Sequence, residues 1–419
     1  MLLPRKPMPN MALMSQNLSA DHLPNPRAEL QSKLLAAGMR QKIKPGARIA
    51  ITAGSRGIGG FLDLLNGICD AVRAFGGEPF LVPAMGSHGG ATSQGQIEIL
   101  RRLGVNDRSI DAPVQATMDT IPLGKARSGA TAHLDAIAAQ ANGIIVLGRV
   151  KTHPENAEGI ASGLLKMTTV GLGKQIGAQE AHSHGLWESV ESVAELTLAS
   201  GKIVFGVAVV ENAFRKPLAI EVVPGTYAAF REVDTRLLKL AHQHLASIPT
   251  RDLDVLIVDE LGKNVSGTGM DLNVIGSWRL KGGKPDPNYR RIVARSLTAE
   301  SLGNGLGIGL ADFTTRRFMN EYDAAATYIN LLTATEPGAM NTREGPLPMA
   351  LPSDRDAIEV ALYSALVGTN PRICRIRNTS LLNEFWVSEP VLRELEQKRS
   401  ISVLAPLTEP QFDENGALI

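Results

Sequence analysis

The sequence predicts an α/β protein of two domains, with mixed or mostly parallel sheets and an active site in the cleft between the domains. Three observations predict it. Short β-branched apolar runs alternate with helical stretches through the chain, the pattern of a sheet covered by helices. Two of these runs, GIIVLGRV (143–150) and KIVFGVAVV (202–210), are apolar almost without a break, as strands buried on both faces require. The length, 419 residues with 44% hydrophobic and 20% charged side chains, suits more than one core in an ordinary globular protein.

The elements follow in order. ARIAITAG (47–54) reads as a strand. IGGFLDLLNGICDAVRAFG (58–76) reads as a helix, with apolar residues three and four apart and a closing Gly76-Gly77. PFLVPAM is the next strand and QGQIEILRRLG the next helix, before the two buried strands. A helical segment around 230–250 leads to the strand VLIVDEL and a second α/β series: GLGIGLADF, DAAATYINLLTA, AIEVALYSALVG, ICRIR, then a closing helix and strand. The expected division is a cofactor-binding catalytic domain over 1–248 and a second domain, closing over the site, over 249–419.

Composition narrows the function classes. A net charge of +1 and 4% aromatics give no basis for nucleic-acid or membrane partners. Cys69 and Cys374 stand far apart in apolar segments, so they read as packed core thiols rather than a zinc cluster or a disulfide framework. No signal peptide and no membrane-spanning run is readable, and the expected location is cytoplasmic.

ITAGSRGIGG has the look of a dinucleotide fingerprint, but the early glycine is displaced. No tyrosine is followed four residues later by lysine: Tyr227, Tyr289, Tyr322, Tyr328 and Tyr363 precede Arg231, Val293, Ala326, Leu332 and Val367. What survives is a strand, a glycine-rich turn carrying Arg56, and a helix start that suits an anion. AMGSHGGAT puts His88 just past a strand, where open α/β sheets bind ligands. RVKTHPEN puts Lys151 and His153 past another strand, two apart and on one side of an extended backbone. GLLKMTTVGLGKQIGAQEAHSHG (163–185) reads as a loop-like stretch with Lys166 among apolar groups, Lys174 in a glycine-rich turn, and His182 and His184. Imidazoles suit a borderline metal such as nickel or zinc. Four of the eight histidines thus fall on expected loops of one domain.

Taken together and in order, Arg56, Gly86-Ser-His88 with Thr92, His153, Lys166 and His182 resemble the pattern of the lactate racemase family, whose members use a nickel-pincer nucleotide. Lys166 and His182 stand sixteen apart (182 minus 166), as the family's tether and nickel ligand do, and Gly171 sits where the family has Pro-Gly. The resemblance covers roughly residues 45–215. It implies a racemase or epimerase of a 2-hydroxy acid that works by hydride transfer to the nucleotide. It further implies Lys166 as the covalent tether, His182 as the nickel ligand, His88 and His153 as the acid/base pair, and Arg56 as the carboxylate clamp. Cofactor-making enzymes would be needed for activation. Gly171, Lys174 and the amides of residues 171–177 are expected at the nucleotide phosphate on chemical grounds.

The chain departs from the family in having Ala53 and Gly89 where Asp and Arg are common, and a longer gap from His153 to Lys166. LGKNVSGTGMDLNVIG (261–276), with Lys263, Asn264, Ser266, Thr268 and Asp271, stands where the family's Tyr- and Lys-containing helix contacts lactate. The competing readings are a zinc-dependent hydrolase, an imine-forming lysine enzyme, and a non-catalytic relative that binds a small acid or nucleotide.

Overall fold

The computed structural model describes residues 7–153, 159–333 and 345–419. The chain forms two compact units, one from residues 20–245 and one from residues 7–19, 246–331 and 345–419.

The chain opens with β1 (Met11–Gln16), which belongs to the second unit, and then enters the first through α1 (Pro26–Ala36) and α2 (Met39–Lys42). There follow β2 (Arg48–Ala53), α3 (Phe61–Ala74), β3 (Glu78–Pro83), α4 (Ser93–Arg102), β4 (Thr120–Lys125), β5 (Thr131–Asp135), α5 (Ala136–Gln140) and β6 (Gly143–Arg149). After these come α6 (Leu164–Lys166), a π-helical turn (Met167–Gly171), α7 (Lys174–Ser183), α8 (Leu186–Ala199), β7 (Ile203–Glu211), β8 (Pro217–Pro224) and α9 (Tyr227–Gln243).

The main sheet of this unit runs β3-β2-β6-β7-β8. The first four strands are parallel neighbours, with Ile51 opposite Leu81 and Ile145, and Leu147 opposite Val207; β8 closes it antiparallel. Alternate residues feed two cores. Ile144 and Val146 of β6 face one, with Leu164, Leu172, Ala181 and Phe230. Ile145 and Leu147 face the other, with Leu64, Leu65 and Ile68 of α3. This two-sided burial explains the unbroken apolar runs, and each such side chain contributes roughly 1.5–3 kcal/mol. Cys69 and Cys374 are free and buried; burial pushes the Cys69 thiol up to about 12.

The second unit holds an eight-stranded mixed sheet in the order β12 (Met349–Leu351), β11 (Phe313–Thr315), β10 (Asn288–Leu297), β9 (Asp252–Leu261), β13 (Ile373–Asn378), β14 (Leu381–Ser388), β1 and β15 (Ile401–Thr408). The strands from β12 to β13 are parallel, and those from β13 to β15 pair antiparallel.

Here the structure corrects the expected division. Residues 11–16 do not join a domain spanning 1–248; β1 lies between β14 and β15, with Met14 opposite Phe385 and Val403. MALMSQ holds no β-branched or aromatic residue, so its strand propensity is low. Pairing on both sides and complete burial of Ala12 and Met14 override that propensity.

Met14→Ala is therefore expected to destabilise the second unit by about 2–4 kcal/mol through the cavity it leaves. Denaturant unfolding of the purified variant checks this.

Candidate active site

In the first unit β3, β2 and β6 are adjacent and parallel, so the segments that leave their carboxyl ends emerge along one sheet edge, where open α/β sheets bind ligands. Those segments carry His88, Arg56 and His153.

The Arg56 turn is held by close approach. A Cβ on Gly59 would lie 1.9 Å from the Arg215 carbonyl oxygen. The Gly59 N–H donates to Glu211 Oε1 (2.6 Å), and Arg149 reaches Glu211 Oε2 (2.6 Å). Burial works to raise the Glu211 carboxyl, but Arg149 and the Gly59 N–H outweigh it and leave it below the usual range. Arg56 and Arg215 line a cavity of about 590 Å³ beside the start of α3.

The His88 turn is fixed from below. The His88 N–H donates to the Met85 carbonyl (3.1 Å) and the Gly86 N–H to the Gly171 carbonyl (3.5 Å). Gln96, buried on α4, donates Nε2 to the carbonyls of Gly86 (2.8 Å) and His88 (3.4 Å). Thr92 caps α4 through Gly95 N–H (3.0 Å).

Residues 163–185 are not a loop. They form α6, the π-helical turn and α7 in succession, so His182 lies in the last turn of α7 and His184 caps it, exposed, with Nδ1 on the Glu180 carbonyl (3.0 Å). The glycines that suggested a loop serve close contact. A Cβ on Gly171 would meet Met167 Sδ at 2.6 Å and the Ala84 carbonyl at 3.0 Å, and one on Gly173 would meet the Thr169 carbonyl at 2.3 Å. A π-helical turn directly after Lys166 is the kind of helix irregularity that accompanies functional residues.

Lys174 departs furthest from its expected place at a phosphate. Its side chain is fully buried, and its ammonium contacts Asp135 Oδ2 (2.9 Å), Gln96 Oε1 (3.1 Å) and the Pro83 carbonyl. An ammonium has three donors, and here all three are committed. Burial pushes its pKa down and Asp135 holds it partly back.

His153 follows the carboxyl end of β6. Its ring meets Trp187 edge-on, centroids 4.8 Å apart, and Lys166 Nζ lies 5.0 Å from the same indole centroid, within cation–π range. The return of the chain after β6 makes this possible, since Lys151 and Ser162 exchange backbone hydrogen bonds at 3.0 and 3.2 Å. Residues 154–156 of the RVKTHPEN motif lie outside the described residues. Burial, then the positive neighbours Lys166, Arg56, His182 and Lys151, hold the His153 pKa well below 6.5. Arg56, His153, Lys166 and His182, spread over more than a hundred positions, thus share one electrostatic neighbourhood.

No protein-family model matches the sequence, and no curated protein matches it. Among solved structures, the lactate racemase apoprotein from Thermoanaerobacterium thermosaccharolyticum superposes with a TM-score of 0.50 at 10% identity, covering 88% of this chain and 99% of that one. The fold is lactate racemase-like. A structural-genomics target from Thermotoga maritima also aligns, with a TM-score of 0.49 at 12% identity over 66% of this chain and 72% of that one.

Within this lactate racemase-like fold, the sequence reading missed the groups that hold the site together. Trp187 was not singled out; its place five residues after His182 was the available signal. Gln96 and Asp135 gave no local signal, because each acts on a partner far along the chain. In the second unit, residues 261–276 bond largely within that unit. Lys263 Nζ donates to the Gly267 carbonyl, Thr298 Oγ1 to Asn264 Oδ1 (2.6 Å), and Asp271 accepts from Asn273 N–H (3.0 Å).

Among the described residues no three His, Cys, Asp or Glu side chains are grouped to hold a metal by themselves. A zinc centre built from protein alone takes three or four such ligands.

Two outcomes are expected. Lys174→Met strands the buried Asp135 carboxylate and lowers stability by about 3–5 kcal/mol, while Lys174→Met with Asp135→Asn loses less than the sum of the single changes; a double-mutant cycle in denaturant measures this. Lys166→Met removes a positive neighbour of His153, which disfavours imidazolium, so the His153 pKa rises. A histidine NMR titration of the metal-free protein reads that shift, and an unchanged or lower pKa contradicts the electrostatic arrangement.

Proposed function

We propose that this protein is a racemase or epimerase of a 2-hydroxy acid, working with a nickel-pincer nucleotide tethered to Lys166. The observation that supports the reading is that Lys166, Arg56 and His182 all act on His153 as positive neighbours, with His153 and Lys166 both against the Trp187 indole. Likeness of fold supports it at the level of architecture.

In this reading Lys166 would hold the cofactor covalently and His182 would supply the protein's imidazole to nickel, a donor type that suits that metal. The chemistry such a cofactor would supply is reversible acceptance of a hydride from the substrate carbon. The chain's own residues do the rest. Arg56 binds the substrate carboxylate by charge-assisted hydrogen bonds. His153, kept neutral by its burial and its cationic neighbours, takes the hydroxyl proton, and His88 serves as its counterpart for the opposite configuration. Trp187 covers the space between Lys166 and His153 and limits water there. Lys174 takes no part in binding phosphate, since its three donors are committed elsewhere.

The test is intact mass and metal content of the protein co-produced with cofactor-making enzymes. The expected result is a covalent adduct on Lys166 with nickel, no adduct in Lys166→Ala, and an adduct with reduced nickel in His182→Ala. Unmodified Lys166 without nickel under those conditions overturns the reading.

A further inference from the structure

The short helix that carries Lys166 has an unusual support. α6 has only three residues, too few to hold themselves by internal hydrogen bonds. Its first two amides are nevertheless satisfied. Leu164 N–H donates to Asp234 Oδ1 and Leu165 N–H to Asp234 Oδ2, both at 2.9 Å. Asp234 comes from α9, some seventy residues away, and is 3% exposed.

The surroundings are shaped to this contact. Gly163 has an extended backbone (φ 177°) that any residue can adopt, so conformation does not require glycine there. Space does: a Cβ on Gly163 would lie 2.4–2.6 Å from all three carboxyl atoms of Asp234. Leu164 is pinned in turn, because Cβ atoms on Gly148 of β6 and Gly206 of β7 would meet its methyls at 3.2 and 2.5 Å. The chain omits side chains at 148, 163 and 206 where α6 is seated.

We infer that Asp234 is a positioning residue for Lys166, its carboxylate clamping the first turn of the helix that presents the amine. The importance of Lys166 rests on the function proposed above, but the clamp is a property of the cofactor-free chain. A carboxylate this deeply buried is expensive unless it is hydrogen-bonded; burial raises its pKa to about 7 while the two amides pull it down. A residue with only a packing duty at this place would be served as well by leucine.

The experiment uses the full-length, cofactor-free protein. Hydrogen exchange is followed at residues 164–167, with Ile144–Leu147 of β6 as reference. In parallel, acylation of Lys166 by an N-hydroxysuccinimide acetate is mapped by mass spectrometry, with exposed Lys42 as internal reference. In Asp234→Ala both ratios are expected to rise threefold or more, and in Asp234→Asn, which keeps one acceptor oxygen, to fall between variant and wild type. Ratios that rise less than threefold, or exchange that speeds equally in β6, overturn the proposal. Should Asp234→Ala fail to fold, Gly163→Ala, which pushes against the carboxylate, is read by the same two ratios. The two proposals part cleanly: local loosening with no nickel adduct ever found on Lys166 upholds the clamp and removes the racemase reading.

Discussion

The first unit's site depends on one buried cation. Lys174 lies in the left-handed backbone region (φ 56°), a conformation that costs a non-glycine residue on the order of 1–2 kcal/mol, and its ammonium sits where water cannot reach. Both penalties are borne because three separate elements converge on it: the end of β3 through Pro83, α4 through Gln96, and the β5–α5 junction through Asp135. Asp135 in turn uses its other oxygen to cap α5, accepting from Ile137 and Ala138 N–H at 2.8 Å each. Gln96 passes the constraint onward to the Gly86 and His88 carbonyls. The helix bearing His182 and the turn bearing His88 are thereby fixed to one charge. A hydrophobic residue in place of Lys174 would fill the volume but direct none of these groups.

This divides two lysines that the sequence presents almost alike. Lys166 and Lys174 stand eight positions apart in the same glycine-rich stretch, and the composition of that stretch assigns neither a role. Lys174 is neutralised and enclosed. Lys166 has its ammonium over an indole face and is among the positive influences on His153.

The parts of the fold that follow from local periodicity were legible in the sequence: the alternation of β2, α3, β3, α4 and the two-faced strands β6 and β7. What escaped was set by distant partners. β1 is a strand because β14 and β15 flank it, and nothing within MALMSQ says so. The 163–185 stretch looked like a loop because glycine disfavours helix by up to about 1 kcal/mol relative to alanine. Tertiary contact reverses that judgement, since a side chain at 171 or 173 would collide with neighbouring backbone. At the site, residue identity and order pointed to Arg56, His153, Lys166 and His182, which chemistry constrains locally. Asp135 and Gln96 act on Lys174, and Asp234 on the helix that carries Lys166, from far along the chain.

The glycines invite a wider reinterpretation. Clusters of glycine beside lysine and arginine suggest backbone amides cradling an anion. Several here instead let the frame close up. A Cβ on Gly54, in the turn after β2, would touch Met167 at 3.2 Å; one on Gly86 would touch Val170 at 3.4 Å; one on Gly163 would strike Asp234. Each contact lies within a few residues of a proposed site residue, on the side that faces the protein. The glycines let the segments that carry Arg56, His88 and Lys166 pack closely against their neighbours. On the proposed reading, recognition of an anionic ligand then falls to side chains, of which Lys166, Arg56, His182 and Lys151 act on His153 as positive neighbours.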